Sequence, residues 1–278
     1  MQTRMIAVPG GSLQAHSSGA AAAPAAVMVH SGIAHAQMWS PLMRALREEM
    51  FAVAYDCRCF GGSTTTLDGE FSDIDDLASV LDAYGLESAV LVGESRGARL
   101  AIDFALAHPR RVRGLFLLAP DISGFDAPVT YHERPLFDAI EAAEDSWSVE
   151  ELIAHEVRLF VDGPGRAPAA ERAAVRTAVA EMSRLNYRQQ RDTPDFVKPE
   201  PAATRLSEIR CPVRVLVGDA DTVGFQAMAR AVEEACPRAT LGTVPDAAHA
   251  LTLEHPETVE RELRTFWQDV RGTRGTDE

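Results

Sequence analysis

One short motif could place a nucleophile, the segment Gly93-Glu94-Ser95-Arg96-Gly97. An apolar run precedes it and a helix-like stretch follows it, which is the context that a nucleophile elbow, G-x-S-x-G, requires. Such a turn holds its central residue in a strained backbone conformation, and side chains two residues away on either side would collide. The pattern therefore predicts that Ser95 is a nucleophile whose hydroxyl is held at the tip of a sheet.

A serine hydroxyl is a weak nucleophile at neutral pH and needs a base, and the chain has eight histidines. His249 follows the last strand-like segment and precedes the C-terminal helix, so it comes last in the order serine, acid, histidine. His255 stands at a helix start and is interpreted as structural. His30 and His35 flank the loop after the first apolar core strand, where they could line a pocket, and we assign them no catalytic role. We therefore predict His249 as the base.

The acid of such a triad should follow a strand that lies between the serine and the histidine in the chain. Asp219 and Asp221 both follow the apolar segment Val213–Gly218, and Asp121 follows another strand whose end faces the same side. The carboxylate would orient the imidazole and stabilise the imidazolium without taking its proton. The spacing leaves all three aspartates open.

An acyl-transfer site also needs N–H donors that are aimed at the oxyanion. The backbone N–H of Arg96, directly after the nucleophile, is one predicted donor. The second should come from the loop after the first core strand, His30-Ser31-Gly32-Ile33. We predict the N–H of Gly32, because the chain must approach the substrate closely there.

The elements that must position these residues are short apolar runs in alternation with amphipathic stretches. Several runs are apolar almost throughout, as expected where both faces of a parallel sheet are covered. This alternation predicts an α/β protein with a doubly wound, mostly parallel sheet. The predicted strands are Ala26–His30, Phe51–Asp56, Ala89–Gly93, Val112–Ala119, Val213–Gly218 and Ala239–Val244, after an opening hairpin of Thr3–Val8 and Ser12–Ser17. The predicted helices beside them are Pro41–Met50, Ser72–Tyr84, Arg96–His108, Gly224–Ala235 and Pro256–Val270.

The alternation breaks after the fourth of these core strands. Two stretches with helical spacing follow, Trp147–Asp162 and Ala169–Leu185. We predict a helical cap at residues 125–205, inserted into a core that residues 1–124 and 206–278 form. Cap side chains that are candidates for the walls of the site are Trp147, Leu152, Phe160, Met182 and Tyr187, of which Trp147 is our tentative substrate contact.

Composition limits the class of function. The chain has 27 Lys and Arg against 41 Asp and Glu, a formal net charge of −14. This balance argues against nucleic acid and against anionic membranes as partners, since both need a basic surface. Hydrophobic residues at 46% and charged residues at 24% are ordinary for a soluble globular chain. We therefore expect a small-molecule substrate as the partner, and the sequence leaves the oligomeric state open.

Targeting and redox features predict a cytoplasmic protein. The longest apolar stretch, Ala20–Val29, is far shorter than the roughly 18 residues that a membrane span needs, and the first residues lack a secretory signal. The four cysteines follow neither a disulfide framework nor a zinc spacing, so we expect reduced thiols. No metal and no organic cofactor is implied.

With these residues assigned, nearly the whole chain resembles the α/β-hydrolase superfamily. The segment His30–Trp39 resembles the H-G-x…W oxyanion loop of that family, and Tyr55–Ser63 resembles its D-x-R-G-x-G-x-S segment. Gly218–Asp221 is similar to the G-x-x-D acid motif, and this resemblance selects Asp221 as the acid. His249 falls on the family histidine. The resemblance implies the α/β-hydrolase fold with an inserted cap and a Ser-His-Asp triad.

Within the superfamily the chain is most similar to small esterases and to the 3-oxoadipate enol-lactonase group. That similarity implies a serine hydrolase that cleaves an ester or lactone through an acyl-enzyme. Ser31 and Cys59 replace usual glycines, and the usual proline a few residues after Asp221 is missing. The same triad would also serve C–C bond hydrolysis or acyl transfer to an alcohol. A small-ligand binder without turnover is the remaining alternative, since fold does not imply function.

The segment Ser95–Arg99 also resembles the elbow of haloacetate dehalogenases, where an aspartate replaces the serine and two arginines grip a carboxylate. The serine here favours acyl transfer, because dehalogenation needs a carboxylate nucleophile. Arg96 and Arg99 lie three residues apart at a helix start. We hypothesise that they favour a substrate with a carboxylate or another acidic oxygen. The alternative is that each is an ordinary surface or buried-pair arginine.

Overall fold

A computed structural model describes residues 1–21, 24–66, 69–191 and 196–272 of the chain. Within these ranges the chain builds a central sheet of nine strands. The strands are β1 (Gln2–Val8), β2 (Gly11–Ser18), β3 (Ala25–Val29), β4 (Phe51–Tyr55), β5 (Thr64–Thr65), β6 (Ala89–Glu94), β7 (Val112–Leu118), β8 (Val213–Gly218) and β9 (Ala239–Val244).

The sheet has the order β1-β2-β4-β3-β6-β7-β8-β9, and the short β5 pairs with β2. The pairs β1–β2 and β2–β4 are antiparallel, whereas every neighbouring pair from β4 to β9 is parallel. This topology confirms the predicted doubly wound, mostly parallel sheet and its opening hairpin. The strands β3, β4 and β6 are buried at every residue, which explains why their sequences lack polar alternation.

Helices cover both faces of the sheet. Val27 and Val29 of β3 belong to one buried cluster, and Met28 between them belongs to the other, as the alternation of side chains along a strand requires. The helices are α1 (Ser40–Ala45), α2 (Asp73–Ala83), α3 (Arg96–Ala107), α4 (Arg134–Asp145), α5 (Val149–Glu156), α6 (Ala173–Gln190), α7 (Val223–Ala235), α8 (Leu251–Glu254) and α9 (Pro256–Gly272). The described part of the chain contains no helix that is long and apolar enough to cross a membrane.

The predicted helices beside the sheet are confirmed, with one difference in length. The helix expected to reach Met50 ends at Ala45, and residues 46–49 continue as turns. The helix α4 has no counterpart among the individually predicted helices, although Leu136 and Ile140 have helical spacing.

The helices α4, α5 and α6 lie between β7 and β8 in the chain, within the proposed cap at 125–205. A π-helical turn, Val157–Asp162, continues α5 directly. Side chains from this region, Val157 and Val179 among them, share a buried cluster with Ile33 and Ala250. Because Ile33 follows Gly32 and Ala250 follows His249, this packing braces the two loops that carry proposed site residues.

A buried ion pair supports the loop after β4. Arg58 donates from Nε to Oδ2 of Asp76 over 2.7 Å and from Nη2 to Oδ1 over 2.9 Å. The two side chains are only 3% and 4% exposed. Arg58 Nη2 also donates to the carbonyl of Pro9, so the guanidinium ties α2 and the opening hairpin to this loop. Cys59 has a positive φ of 65°, a backbone conformation that is uncommon for residues other than glycine.

We expect Asp76→Asn to lower the free energy of unfolding by about 3–5 kcal/mol, because it leaves the Arg58 guanidinium buried without a charged partner. Urea unfolding followed by circular dichroism measures this change. The matched control is Glu48→Gln, which removes an ion pair between side chains that are 63% and 84% exposed. That control should change stability by less than about 1 kcal/mol. Equal effects of the two substitutions would contradict the assigned role of the buried pair.

Candidate active site

Ser95 occupies a sharp turn between β6 and α3, with φ 55° and ψ −118°. This left-handed φ is rare for a residue other than glycine, and it is the strained conformation that the elbow motif predicts. The backbone N–H of Ser95 donates to the carbonyl of Leu118 over 2.9 Å, and its carbonyl accepts from Arg99 over 3.0 Å. These bonds hold the turn in place and leave Ser95 partly exposed at the edge of the sheet.

Both glycines of the motif are required by close backbone approach. A Cβ on Gly93 would collide with the carbonyl oxygen of Gly97. A Cβ on Gly97 would collide in turn with the carbonyl oxygen of Val29, at the end of β3. The first turn of α3 therefore packs directly against the start of the loop that carries Gly32.

His249 and Asp221 form a buried pair. Nδ1 of His249 and Oδ2 of Asp221 are 2.9 Å apart, and the side chains are 2% and 0% exposed. The other oxygen of Asp221 accepts the N–H of Thr222 over 2.7 Å. Asp219 is exposed, and Asp121 pairs with an arginine instead. Of the three aspartates that the spacing left open, Asp221 is the one that bonds to His249.

The imidazole of His249 lies against two aromatic rings. Its centroid is 5.0 Å from that of Phe160 and 4.0 Å from that of Phe225. The carbonyl of Phe160 also accepts the backbone N–H of His249 over 3.1 Å. One residue from the proposed cap and one from α7 thus fix the ring and the loop that carries it.

The charges around His249 favour its protonated form. Burial lowers the pKa of this imidazole, but the charge and hydrogen bond of Asp221 raise it, as do the charges of Glu94 and Asp121. The sum places the pKa above the ordinary histidine value. Since Nδ1 faces Asp221, Nε2 is the nitrogen left to exchange a proton with a substrate or a nucleophile.

No hydrogen bond joins the Ser95 hydroxyl to His249 in the described structure. Catalytic hydrogen bonds are often long in a site without substrate and shorten when substrate binds. Asp221 and His249 are in contact in the structure. Ser95 lies at the same edge of the sheet, because the carboxyl ends of β6, β8 and β9 all face one side.

The two proposed oxyanion donors belong to the start of α3 and to the loop after β3. Arg96 is the first residue of α3, where backbone N–H groups have no partner inside the helix. Gly32 stands in the loop after β3, and a Cβ built there would meet no atom within 4 Å. The side-chain direction at Gly32 is therefore open.

His30 fixes this loop from behind. Its Nδ1 lies 2.8 Å from the carbonyl of Ser31, and its Nε2 accepts the N–H of Cys57 over 3.0 Å. Burial, with the nearby charge of Arg96, lowers the pKa of His30 to about 4. A fully buried, neutral imidazole with both nitrogens engaged acts as a structural strut, in line with our assigning it no catalytic role.

A cleft of about 320 Å³ opens beside the turn that carries Ser95, between the proposed cap and the core. Of the predicted wall residues, Trp147, Leu152 and Tyr187 line it. Phe160 contacts His249 instead, and Met182 packs against the core cluster on the α1 side of the sheet. The rest of the lining is Arg58, Cys59, Phe60, Phe71, Asp73, Arg96, Arg99, Glu144, Gln190 and Phe196.

Both arginines of the elbow line the cleft, and both have a carboxylate partner. Arg96 donates from Nη2 to Asp73 over 2.7 Å, and its guanidinium lies 4.9 Å from the centroid of the Phe60 ring. Arg99 donates from Nη1 to Asp121 over 2.9 Å. An acidic substrate would have to compete with these aspartates, which the sequence pattern of the two arginines could not reveal.

Glu94, directly before the proposed nucleophile Ser95, is a buried residue of this region that is absent from the predicted site residues. Its Oε2 accepts from the backbone N–H of Thr252 over 3.0 Å and from the Thr252 hydroxyl over 2.6 Å. Burial raises the pKa of Glu94 to about 7, against the lowering effect of these bonds. The motif leaves this position unspecified, but a carboxylate at the end of a buried apolar strand was a usable signal.

Comparison with known proteins identifies the family of this chain and agrees with its fold. The model of the alpha/beta hydrolase family matches residues 26–262. A Caulobacter sp. (strain K31) protein named "Putative carbamate hydrolase RutD" is 27% identical over 238 residues, which cover 82% of this chain and 84% of that protein. The esterase RhEst1 from Rhodococcus sp. ECU1013 has a TM-score of 0.79 at 22% identity, covering 97% of this chain and 100% of its own. Est816, described as an N-acyl homoserine lactone degrading enzyme, has a TM-score of 0.76 at 23% identity, covering 95% and 100%. The chain is therefore a hydrolase that belongs to the alpha/beta hydrolase family.

Proposed function

We propose that the chain is a serine hydrolase that cleaves an ester or lactone bond of a small molecule through Ser95, His249 and Asp221. The observation that carries this proposal is the buried 2.9 Å pair of His249 and Asp221, at the sheet edge where Ser95 occupies its strained turn. The names of the similar proteins, an esterase, a lactone-degrading enzyme and a carbamate hydrolase, support acyl transfer to water as the reaction class.

In this mechanism Nε2 of His249 takes the proton of the Ser95 hydroxyl as its oxygen attacks the carbonyl carbon. Asp221 keeps Nδ1 protonated and stabilises the imidazolium. The N–H groups of Gly32 and Arg96 stabilise the oxyanion, and loss of one such donor costs on the order of 10²–10³ in kcat. His249 then protonates the leaving alkoxide and activates a water molecule that hydrolyses the acyl-enzyme.

The cleft beside Arg96 is the proposed substrate pocket, with Trp147 and Arg99 as proposed substrate contacts. Its aromatic walls suit an apolar or flat substituent, and about 320 Å³ lies within the size range of small-molecule sites. The free donors of Arg99 could bind an acidic oxygen of such a substrate, in competition with Asp121.

We expect an organophosphonate probe to label Ser95 of the wild-type protein and ester hydrolysis to be lost in Ser95→Ala. Intact and peptide mass spectrometry locate the adduct. Ser79→Ala is the matched control, because the Ser79 hydroxyl donates to the carbonyl of Asp75 on the exposed side of α2; it should keep labelling and activity. Absence of an adduct on the wild-type protein would contradict an activated serine.

A panel of esters, lactones, carbamates and β-diketones, run beside Ser95→Ala, then separates the reaction classes. Turnover of esters or lactones that Ser95→Ala abolishes supports the proposal. Turnover of β-diketones alone would favour C–C bond hydrolysis by the same residues instead.

We expect Asp221→Asn to lower kcat by on the order of 10⁴, because an amide no longer holds the imidazole in the required tautomer. Nuclear magnetic resonance titration should show a lower pKa for His249 in this variant, since the charge of Asp221 raises that pKa. Asp219→Asn, two residues away and exposed, should leave both quantities near their wild-type values. If both variants lost the same activity, the assignment of Asp221 would be wrong.

We expect Arg99→Ala to reduce the ratio of kcat/KM for an acidic ester over a neutral ester of equal size by about tenfold or more, since a hydrogen bond to a charged group contributes about 1.5–3 kcal/mol. Asp121→Asn should change the ratio in the opposite direction, because it releases Arg99 from its partner. Unchanged ratios in both variants would exclude Arg99 as a contact for acidic substrates.

A further inference from the structure

Glu94 connects β6, the strand directly before Ser95, to the segment that carries His249, the proposed base. It is the last residue of β6, directly before Ser95, and it is 1% exposed. Its Oε2 accepts two hydrogen bonds from Thr252, 2.6 Å from the hydroxyl and 3.0 Å from the backbone N–H. Thr252 lies in α8, three residues after His249, and is 4% exposed.

Glu94 is a buried carboxylate that has no basic partner among the described residues. None of the ion pairs found among the described residues includes Glu94, so no arginine or lysine neutralises it there. Burial of an unpaired carboxylate is costly, and a neutral side chain would fill the same space at a lower cost. Titratable groups with strongly shifted pKa values cluster at functional sites, so the position of this carboxyl beside Ser95 points to a role in the chemistry.

We propose that Glu94 is a positioning residue of the triad: through Thr252 it fixes the His249 segment relative to Ser95, and its carboxylate stabilises the protonated imidazole together with Asp221. This inference rests on the proposed serine hydrolase function.

Few charged groups influence His249 and Glu94. His249 is influenced by Asp221, Glu94 and Asp121, and its aromatic neighbours from the cap and α7 are uncharged. Glu94 is influenced by His249 and Asp221, besides its hydrogen bonds from Thr252. Burial raises the pKa of Glu94 to about 7, and the charge of Glu94 is one of the groups that raise the pKa of His249 above its ordinary value.

The sign of the effect follows from these charges. Above about pH 7 Glu94 is ionised, and its charge raises the pKa of His249. Below that pH Glu94 gains a proton, and this support for the imidazolium is lost. The acid limb of the kcat/KM profile should therefore depend on the ionisation of Glu94 as well as on that of His249.

Glu94→Gln tests the electrostatic part, because glutamine keeps the size and an oxygen that can accept from Thr252. We expect the acid limb of kcat/KM to move to lower pH by on the order of one unit, the lower end of the shift that a nearby charge produces. The plateau of kcat should fall by about tenfold, which is what one pKa unit of lost stabilisation corresponds to.

A titration without substrate gives an independent readout. In protein with labelled histidines, the imidazole resonances of His249 are assigned by their loss in His249→Asn. Nuclear magnetic resonance should then show a lower pKa for His249 in Glu94→Gln than in the wild type.

Thr252→Val tests the positioning part, since it removes the hydroxyl donor and keeps the size of the side chain. We expect kcat to fall with KM nearly unchanged, and Thr252→Ser, which restores the hydroxyl, to recover it. This arm also serves if Glu94→Gln fails to fold.

The outcomes distinguish a failure of the Glu94 proposal from a failure of the proposed function. If Ser95 is labelled and esters are hydrolysed, while Glu94→Gln leaves both the acid limb and the His249 titration unchanged, the role of Glu94 is overturned and the proposed function stands. If Ser95 takes no label, the proposed function fails, and the titration still shows whether Glu94 stabilises the imidazolium. A shift in both readouts, with rescue by Thr252→Ser, supports the inference.

Discussion

The parallel pairing of β3, β6, β7 and β8 is the constraint on which the rest of the site depends. These strands are adjacent in the sheet and run in one direction, so the residues after each of them emerge at one edge. Ser95, Asp221 and the loop with Gly32 reach this edge from three strands far apart in the chain. Close contact between backbones then sets the finer spacing, because Gly97 lets α3 begin directly against the carbonyl of Val29.

The helical segment between β7 and β8 does more than form a wall. In α6, the Ser183 hydroxyl donates to the carbonyl of Ile33 over 3.1 Å, and the Asn186 amide donates to that of Ala34 over 3.0 Å. The carbonyl of Phe160 accepts the N–H groups of both His249 and Ala250. The segment thus holds the loop with the proposed oxyanion donor and the loop with the proposed base, so a change in its packing would reach the chemistry directly.

The charged side chains of the site fall into two groups, one around His249 and one at the cleft. Carboxylates surround His249, where they favour the imidazolium, while the arginines Arg58, Arg96 and Arg99 gather at the cleft with aspartates as partners. In a chain with a net charge of −14, this pairing keeps the cleft close to neutral despite its three guanidinium groups. Charge alone therefore does not select an acidic substrate, and selection would depend on which donors Arg99 has left beside Asp121.

The sequence by itself determined the sheet, the elbow and the candidates for nucleophile and base. These features depend on local signals: apolar runs of strand length, glycines two residues either side of Ser95, and the place of His249 after the last strand. The choice among Asp121, Asp219 and Asp221 needed a family resemblance, because all three follow strands that end on the same side.

Only the tertiary structure decided which groups meet. It paired Asp221 with His249 and Arg99 with Asp121, and it joined Glu94 to Thr252 across 158 positions of the chain. It also formed the cleft from segments of both the core and the proposed cap. Such contacts leave no periodic pattern in the sequence. They depend on how distant elements pack and on how strongly burial disfavours the charged form of each group.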